Sequence, residues 1–235
     1  MNLILINTND FVTSDTAVLT DHRFDHIRSV HKPEIGALLN VGLLNGAIGK
    51  GEVLELNDRS VTLGVSLEKE PPAALPLTLI LALPRPKMLK RILQTVSAMG
   101  VKELYLINSY RVDKSYWSTP ILNQIEEQLK LGLEQAGDTI MPSVYLRKRF
   151  KPFVEDELPW IAKNTRSLVA HPYNAEQCSA PESIPTTLAI GPEGGFIEYE
   201  VDKLNQCGFK SVHIGERILR VENAVPVLLA KLFPV

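Results

Sequence analysis

Two glycine-rich turns near the end of the chain contain the residues best suited to bind a ligand. Gly191, Gly194 and Gly195 lie in "LAIGPEGGFIEYE", directly after a short apolar run, and Gly215 follows a second such run in "VHIG". A glycine has no β-carbon, so a ligand can approach its backbone closely and use its free N–H groups. A third apolar run, "LVAHPY", leads to His171 and could add a wall to the same pocket.

Several common kinds of site are excluded by motifs that the sequence lacks. Lys50 in "GAIGKGE" has neither the earlier glycine nor the following Ser or Thr of a Walker loop, and no GxGxxG opens the first strand–helix unit. No GxSxG elbow supports a serine hydrolase. The histidines are scattered, so no metal is expected, and Cys178 and Cys207 are expected to be reduced thiols.

Length and composition indicate an ordinary globular protein. The chain has 235 residues, of which 45% are apolar, and a net charge of −2, which suits one large domain or two modest ones. It contains no apolar run of about eighteen residues, and "MNLILINTND" lacks a basic region and a cleavage site. We therefore expect a cytoplasmic protein with no membrane partner.

Basic residues are concentrated in the middle third of the chain. They lie mainly in "LPRPKMLKR" and "LRKRFK". These stretches would form a phosphate-facing surface if the fold brings them together. Charge alone favours a solvated helix face instead, so both interpretations stay open.

The elements that must position the glycine turns form two different patterns. Up to about residue 70, short apolar runs alternate with turn signals such as Asn45-Gly46, which predicts a small antiparallel sheet or barrel. The proline-rich stretch "EKEPPAALP" predicts a linker at 68–76. Strand and helix patterns then alternate, which is typical of an α/β domain with a mostly parallel sheet. Ligands bind at the carboxyl ends of such strands, where both glycine turns are predicted to lie.

The two C-terminal motifs, "IGPEGGF" and "IGERILRVENAV", resemble the paired signature of the SPOUT class of S-adenosylmethionine-dependent RNA methyltransferases. Within this class the chain is most similar to the ribosomal small-subunit RNA methyltransferase E family, which methylates N3 of a uridine in 16S rRNA. The resemblance implies a PUA-like β-barrel RNA-binding domain at 1–70, in which "HIRSVHKPEIG" resembles a family segment, and a SPOUT α/β-knot methyltransferase domain at 71–235. Its C-terminal trefoil knot comes from the resemblance alone, because general topological rules exclude knots.

The resemblance also implies that three loops hold S-adenosylmethionine in a bent form, largely through backbone groups. The loops are 169–171, 190–195 and 214–224. Carried over residue by residue, the expected cofactor contacts are Val169, Ala170, His171, Ile190, Gly191, Pro192, Gly194, Gly195, Ile214, Gly215, Ile218, Leu219, Arg220, Asn223 and Ala224.

Methyl transfer to uridine N3 requires that the imide lose its proton. Arg220 is our first candidate, because its cation would stabilise the resulting anion, and Glu193 and Glu222 rank below it as proton acceptors. Structural roles stay open for all three: Glu193 as a turn cap, Glu222 at a helix start, and Arg220 as its ion-pair partner. Asn223 is predicted to cap the last helix, with Pro226 in its first turn.

The expected partners are ribosomal RNA or the small ribosomal subunit, together with a second copy of the chain in a homodimer. Departures from the family pattern include Asn223 in place of threonine and Ile197 in place of a small hydroxyl residue. A divergent relative with another RNA target and a non-catalytic RNA- or ribosome-binding protein of the same fold are therefore alternatives. A nucleotide-binding enzyme outside this class is a weaker one. The expected RNA contacts are Arg23, Arg28, Lys32, Arg85, Lys87 and Arg91.

Overall fold

A computed structural model describes residues 2–234 and divides the chain into two compact units. The first unit runs to Ala73 and also includes Lys130–Met141. The second comprises Ala74–Leu129 and the described residues from Pro142 onward. No helix within residues 2–234 is long and apolar enough to cross a lipid bilayer.

The first unit is built on a five-stranded sheet with the order β1-β3-β4-β5-β2. The pair β1–β3 is parallel and the other pairs are antiparallel, so the predicted antiparallel sheet is wrong for one pair. Asn45 turns the β3–β4 hairpin with a φ of 61°, a conformation that asparagine tolerates. The strands are β1 (Ile4–Ile6), β2 (Thr16–Leu19), β3 (Leu38–Leu43), β4 (Ile48–Leu56) and β5 (Val61–Lys69).

A short helical segment packs against this sheet. Helix α1 (His22–His26) continues into a π-helical turn at Ile27–His31, and a 3₁₀ turn spans Thr8–Asp10. Alternate strand residues point inward and form one apolar core with the buried side chains of Phe24 and Ile27. The strand members of this core are Ile4, Ile6, Leu19, Leu39, Val41, Val53, Val61 and Leu63.

Arg23 belongs to the interior of the first unit. It is 7% exposed, and its guanidinium donates to Asp10 at 2.6 Å, to Asp21 at 2.8 Å and to the Leu5 carbonyl at 2.9 Å. The hydrogen bond from Arg23 lowers the pKa of Asp21, whose carboxylate also caps α1. Since this cation is buried and paired, the expectation that Arg23 contacts RNA does not fit its position.

The second unit is built on a seven-stranded, all-parallel sheet, which confirms the predicted α/β class. Its strand order is β10-β12-β9-β11-β6-β7-β8, with every pair parallel. The strands are β6 (Leu77–Ala82), β7 (Glu103–Ile107), β8 (Ser143–Arg147), β9 (Arg166–Ala170), β10 (Glu176–Gln177), β11 (Thr186–Ile190) and β12 (Lys210–His213).

Helices connect these strands. Helix α2 begins at Pro86, where a missing N–H is harmless, and buries Leu89, Ile92, Leu93 and Val96 on one face. Helix α2 spans Pro86–Ala98. The remaining helices are α3 (Ile125–Ala136), α4 (Phe150–Pro152), α5 (Leu158–Ile161), α6 (Glu198–Gln206) and α7 (Val221–Leu232). Further 3₁₀ turns lie at Lys114–Ser118 and Pro120–Gln124, and a π turn lies at Phe153–Glu157.

The last helix begins earlier than the sequence suggests. Arg220, not Asn223, occupies the cap position of α7, and its carbonyl accepts the N–H groups of Asn223 and Ala224 at 2.9 and 2.8 Å. Pro226 consequently lies inside the helix, beyond its first turn. The apolar face of α7 outweighs this proline, because Val225, Leu228, Leu229 and Leu232 are all buried.

Candidate functional site

The three predicted loops start side by side at the carboxyl edge of the second unit's sheet. Ala170 at the end of β9 pairs with Ile190 at the end of β11 on one side and with Val212 of β12 on the other. The chain leaves these neighbouring strands in the same direction, because all three are parallel. Their loops therefore border one region.

These loops and α7 surround a cavity of about 300 Å³, which we name the loop cavity. Most residues of its wall are glycines, prolines or apolar residues, a composition typical of small-molecule sites. The predicted contacts that line it are Ala170, His171, Ile190, Gly191, Pro192, Gly194, Gly195, Ile214, Gly215, Ile218, Leu219 and Ala224, together with Glu193.

Four predicted site residues lie outside this wall. Val169 is fully buried within β9. Asn223 is exposed on α7, and Glu222 is half-buried in the first turn of that helix. Arg220 is exposed where the third loop meets α7.

Two glycines shape the loop after β11. A β-carbon on Gly191 would lie 2.8 Å from the backbone nitrogen of Phe196, so the loop closes on itself only with glycine there. Gly195 adopts a φ of +71° and donates its N–H to the Pro192 carbonyl at 2.7 Å. The turn is tight because Gly191 needs no room for a β-carbon and Gly195 adopts a positive φ, which residues with a side chain rarely do.

Glu193 holds this loop to the start of α2. Its carboxylate accepts the backbone N–H of Arg85 at 2.9 Å, and Arg85 is the residue that precedes α2. This contact is the structural role that the sequence left open for Glu193.

Arg111 is a functional candidate that the motif analysis missed. It lies in the loop after β7, its side chain lines the loop cavity, and its guanidinium donates to the Gly194 carbonyl. A β-carbon on Gly194 would meet the Arg111 side chain at 2.9 Å, so the two are closely packed. The position of Arg111 just past a predicted strand end is the signal that could have identified it.

A buried carboxylate fixes the Arg111 loop to the glycine loop. Glu200 on α6 is 2% exposed and accepts the N–H of Tyr110 at 2.7 Å and that of Ile197 at 3.0 Å. Burial raises the pKa of Glu200, while the two backbone donors act in the opposite direction. Ile197 is the cap residue of α6, but its side chain cannot accept a hydrogen bond. The Glu200 carboxylate, which accepts the Ile197 N–H, is therefore the side chain that stabilises the start of this helix.

We expect the Glu200→Gln variant to lose about 1 kcal/mol or more of unfolding free energy at about pH 5, because its NH₂ group faces a backbone donor. A carboxyl group with a raised pKa contributes stability that is fully present below its ordinary pKa of 4.5 and is lost as the pH rises through the folded-state pKa. The difference between variant and wild type should therefore narrow as the pH rises above 4.5. Hydrogen exchange at the Tyr110 and Ile197 amides measures both effects.

The matched control is Glu198→Gln on the same helix, because the Glu198 side chain is exposed. It should leave the exchange of both amides unchanged. Equal protection of these amides in Glu200→Gln and wild type would show that Glu200 does not hold the two loops together.

His171 at this edge is uncharged at neutral pH. Burial lowers the pKa of His171, and the neighbouring Arg111 lowers it further. His213 Nδ1 accepts the Gly215 N–H at 3.1 Å, which requires that nitrogen to be unprotonated. The cavity therefore offers the neutral ring of His171, and two arginines, Arg111 and Arg217, line the same wall. Within residues 2–234, no group of three or more His, Cys, Asp or Glu side chains is arranged to hold a metal ion.

Both basic stretches of the second unit begin at the same sheet edge. Arg85, Lys87 and Arg91 are exposed at the start of α2, which follows β6. Lys148 and Arg149 are exposed directly after β8, and only β7 separates these two strands. The fold thus starts both stretches on the side that carries the loop cavity.

In the first unit, two of the predicted RNA contacts are exposed. Arg28 pairs with the exposed carboxylate of Asp58 at 2.9 Å, a kind of ion pair that contributes little to stability. Lys32 is exposed and adopts a φ of 46° after the π-helical turn. Both cations are accessible to a ligand.

Comparison with known proteins gives a consistent result. The family model described as the RNA methyltransferase domain matches residues 71–232. The ribosomal RNA small subunit methyltransferase E of Treponema pallidum is 31% identical over 95% of this chain and 87% of its own length. The corresponding enzyme 1 of Borreliella burgdorferi is 24% identical over 95% of this chain and 94% of its own.

Solved structures share the fold over nearly the whole chain. The methyltransferase E of Neisseria gonorrhoeae, solved bound to S-adenosyl methionine, has a TM-score of 0.77 at 20% identity, covering 98% of this chain and 95% of its own. A Legionella pneumophila protein solved with the cofactor SAM has a TM-score of 0.77 at 21% identity, covering 97% and 95%. Together with the family match and the Treponema relative, the strand-end loops place this chain in the ribosomal RNA small subunit methyltransferase E family of RNA methyltransferases.

Proposed function

We propose that this protein transfers a methyl group from S-adenosylmethionine to N3 of a uridine in 16S ribosomal RNA of the small subunit. The observation that carries the proposal is the loop cavity, formed by three strand-end loops, two of which contain glycine. It occurs in a chain of this RNA methyltransferase family, beside exposed basic residues. The family membership supports the reaction type, and the uridine N3 target rests on the motif resemblance.

The cavity fits the cofactor in size and in chemistry. A volume of about 300 Å³ lies at the lower end of the range for small-molecule sites. Ile214, Leu219 and Leu228 supply an apolar surface for a flat purine. The absence of a β-carbon at Gly191 and the turn at Gly195 leave backbone groups to recognise ring nitrogens. The loop residues would hold the cofactor, which supplies an activated methyl group.

The chain's own residues then have three tasks: to orient the acceptor base, to exclude water and to stabilise the uracil anion. Arg220 lies in the third loop, at the cap of α7, and its exposed guanidinium is proposed to stabilise that anion when RNA is bound. Glu222 is the next candidate as proton acceptor. Glu193 ranks with it, although one of its oxygens already accepts the Arg85 N–H.

The remaining parts of the proposal follow the family pattern. The first domain would be a PUA-like barrel at 1–70 that binds RNA through Arg28 and Lys32, and the domain at 71–235 would carry a C-terminal trefoil knot. Arg85, Lys87 and Arg91 would contact RNA phosphates. We also infer a cytoplasmic homodimer.

The test is transfer of labelled methyl from S-adenosylmethionine to 30S subunits, naked 16S rRNA and tRNA, followed by nucleoside mass spectrometry. We expect N3-methyluridine in 16S rRNA. The Arg220→Ala variant should lower transfer about 100-fold, because a donor to a developing anion is lost, while cofactor affinity in calorimetry changes little. Cofactor binding without transfer to any of these RNAs would exclude the 16S assignment and favour the non-catalytic binder.

A further inference from the structure

A second cavity adjoins the loop cavity. It has a volume of about 490 Å³, and we name it the side cavity. Arg111, Gly194 and Gly195 line both cavities, as do His171 and Tyr173. Methyl transfer requires the acceptor atom and the methyl group to meet in line, so a cavity that shares a wall with the cofactor site is a suitable place for the acceptor.

The side cavity carries the groups that recognise a nucleobase. Tyr173 is 62% exposed, and its ring contacts the edge of His171 with centroids 5.8 Å apart. An exposed tyrosine held by its neighbour is a stacking platform for a base. Asn174, Asn205 and Ser211 add amide and hydroxyl groups to the wall, which suit the polar edge of a flipped base.

The charges of the side cavity disfavour a phosphate within it. Glu198 and Asp202 lie one turn apart on α6 and both line the cavity. The two carboxylates would repel a phosphate, whereas they would not repel an uncharged base. Arg111 supplies the opposite charge at the wall common to both cavities.

Arg111 is held in place from two directions. Its guanidinium donates to the Gly194 carbonyl, and the N–H of the preceding residue, Tyr110, is bound by the buried Glu200 carboxylate. A cation held in this way needs little reorganisation when negative charge develops beside it. Arg220, the candidate from the sequence, lines neither cavity.

The geometry points to the side cavity as the pocket for the flipped acceptor uracil, with Arg111 as a second cation, in addition to Arg220, that faces its N3 anion. This inference rests on the proposed function, since it assigns the acceptor to that same site. The uracil N3 loses its proton to solvent, and its lone pair forms the N–C bond as the S–C bond breaks and leaves its electron pair on sulfur. Charge is balanced, because the sulfonium and the neutral uracil together give a neutral thioether, a neutral N3-methylated base and one released proton.

Kinetic variants test the pocket first. Tyr173→Ala should lower transfer efficiency about tenfold or more by raising the KM for RNA, whereas Tyr173→Phe should retain it. The control Tyr199→Ala alters an exposed tyrosine on α6 that lines neither cavity, and should match wild type. Cofactor affinity in calorimetry should stay within about threefold for all three.

The role of Arg111 has its own readout in the pH profile. Arg111→Met should lower kcat about 100-fold near neutral pH, and raising the pH by about two units should restore part of it, because N3 then ionises without help. The titratable and charged groups facing this region, besides Arg111 itself, are His171, Tyr173, Glu193, Glu198, Glu200, Asp202, His213 and Arg217. His171 stays neutral over this range, since its pKa is lowered by burial. Arg111→Lys should retain part of the activity and the same pH profile as wild type.

Photo-crosslinking tests the pocket without catalysis. Protein loaded with S-adenosylhomocysteine is irradiated with 16S rRNA containing 4-thiouridine, and crosslinked peptides are mapped by mass spectrometry. We expect crosslinks at 171–174. Crosslinks elsewhere would overturn the inference even if uridine N3 is methylated, and no methylation with crosslinks at this site would reject the proposed function alone.

One further outcome would also overturn the inference. If Tyr173→Ala and Arg111→Met weaken cofactor binding about tenfold or more and leave the KM for RNA unchanged, the side cavity receives the methionine tail of the cofactor instead.

Discussion

The Gly191→Val variant is expected to lose cofactor binding and to lower methyl transfer by more than about 1,000-fold. The reason is steric: the first side-chain carbon would lie 2.8 Å from the Phe196 backbone nitrogen, and a backbone atom cannot move aside as a flexible side chain can. The loop after β11 would have to open, and an opened loop displaces the main chain that borders the loop cavity. Calorimetry with S-adenosylmethionine and the methyl-transfer assay measure the two losses.

The matched control for this variant is Gly64→Ala in the first unit. There the added carbon would lie 3.3 Å from the Leu54 side chain, which is 46% exposed and free to shift. We expect unchanged cofactor affinity. Normal cofactor binding by Gly191→Val would show that the loop after β11 does not form the binding surface.

The Arg23→Met variant is expected to destabilise the first unit by about 3–5 kcal/mol, because it leaves a buried carboxylate without its cation. The side chain of Asp10 is only 14% exposed, and Arg23 bridges it to Asp21. Two compact units are not expected to unfold in one step. Hydrogen exchange within β1 and β3 therefore gives a clearer measurement than a single melting temperature.

Two further variants serve as controls for the effect of Arg23→Met on stability. Arg28→Met removes an exposed ion pair with Asp58 and should change stability by less than about 1 kcal/mol. Arg23→Met combined with Asp10→Asn should recover part of the loss, because the unpaired charge is gone. If Arg23→Met alone were as stable as wild type, solvent would be solvating the Asp10 carboxylate in place of Arg23. Arg23 would then again be a candidate RNA contact.

The central strands of the second unit could be predicted from the sequence because they are buried on both sides, whereas the two exposed residues of β10 carry no such pattern. Apolar runs such as β6 and β11 are almost wholly buried and read as continuous hydrophobic segments. The parallel pair in the first unit could not be predicted, because β1 has only three residues and pairing direction leaves no local pattern. The start of α7 was misplaced because Asn223 is a good cap by residue type, whereas the backbone turns at Arg220.

The candidate site was predictable to the extent that it consists of glycines and strand ends. Side-chain roles were harder to foresee, since they depend on partners distant in the chain. Glu193 bonds a residue 108 positions away, and Glu200 bonds one 90 positions away. Arg111 has no motif around it, and its contact with Gly194 spans 83 positions. Arg23 appeared available for RNA because its partner Asp10 lies in a separate turn.

The return of Lys130–Met141 to the first unit has a consequence for how the protein folds during its synthesis. In that segment Leu133 packs with Leu3 and Leu5, and the Thr139 carbonyl accepts the Asn45 N–H at 2.8 Å. The main apolar core of the first unit lies within its first 73 residues, but this second cluster cannot form when residue 73 leaves the ribosome. It must wait until Met141 has emerged, by which time β6 and β7 of the other unit are already available to pair. Chain order and folding order differ, and a gene fragment ending at the proline-rich linker would encode an incomplete domain.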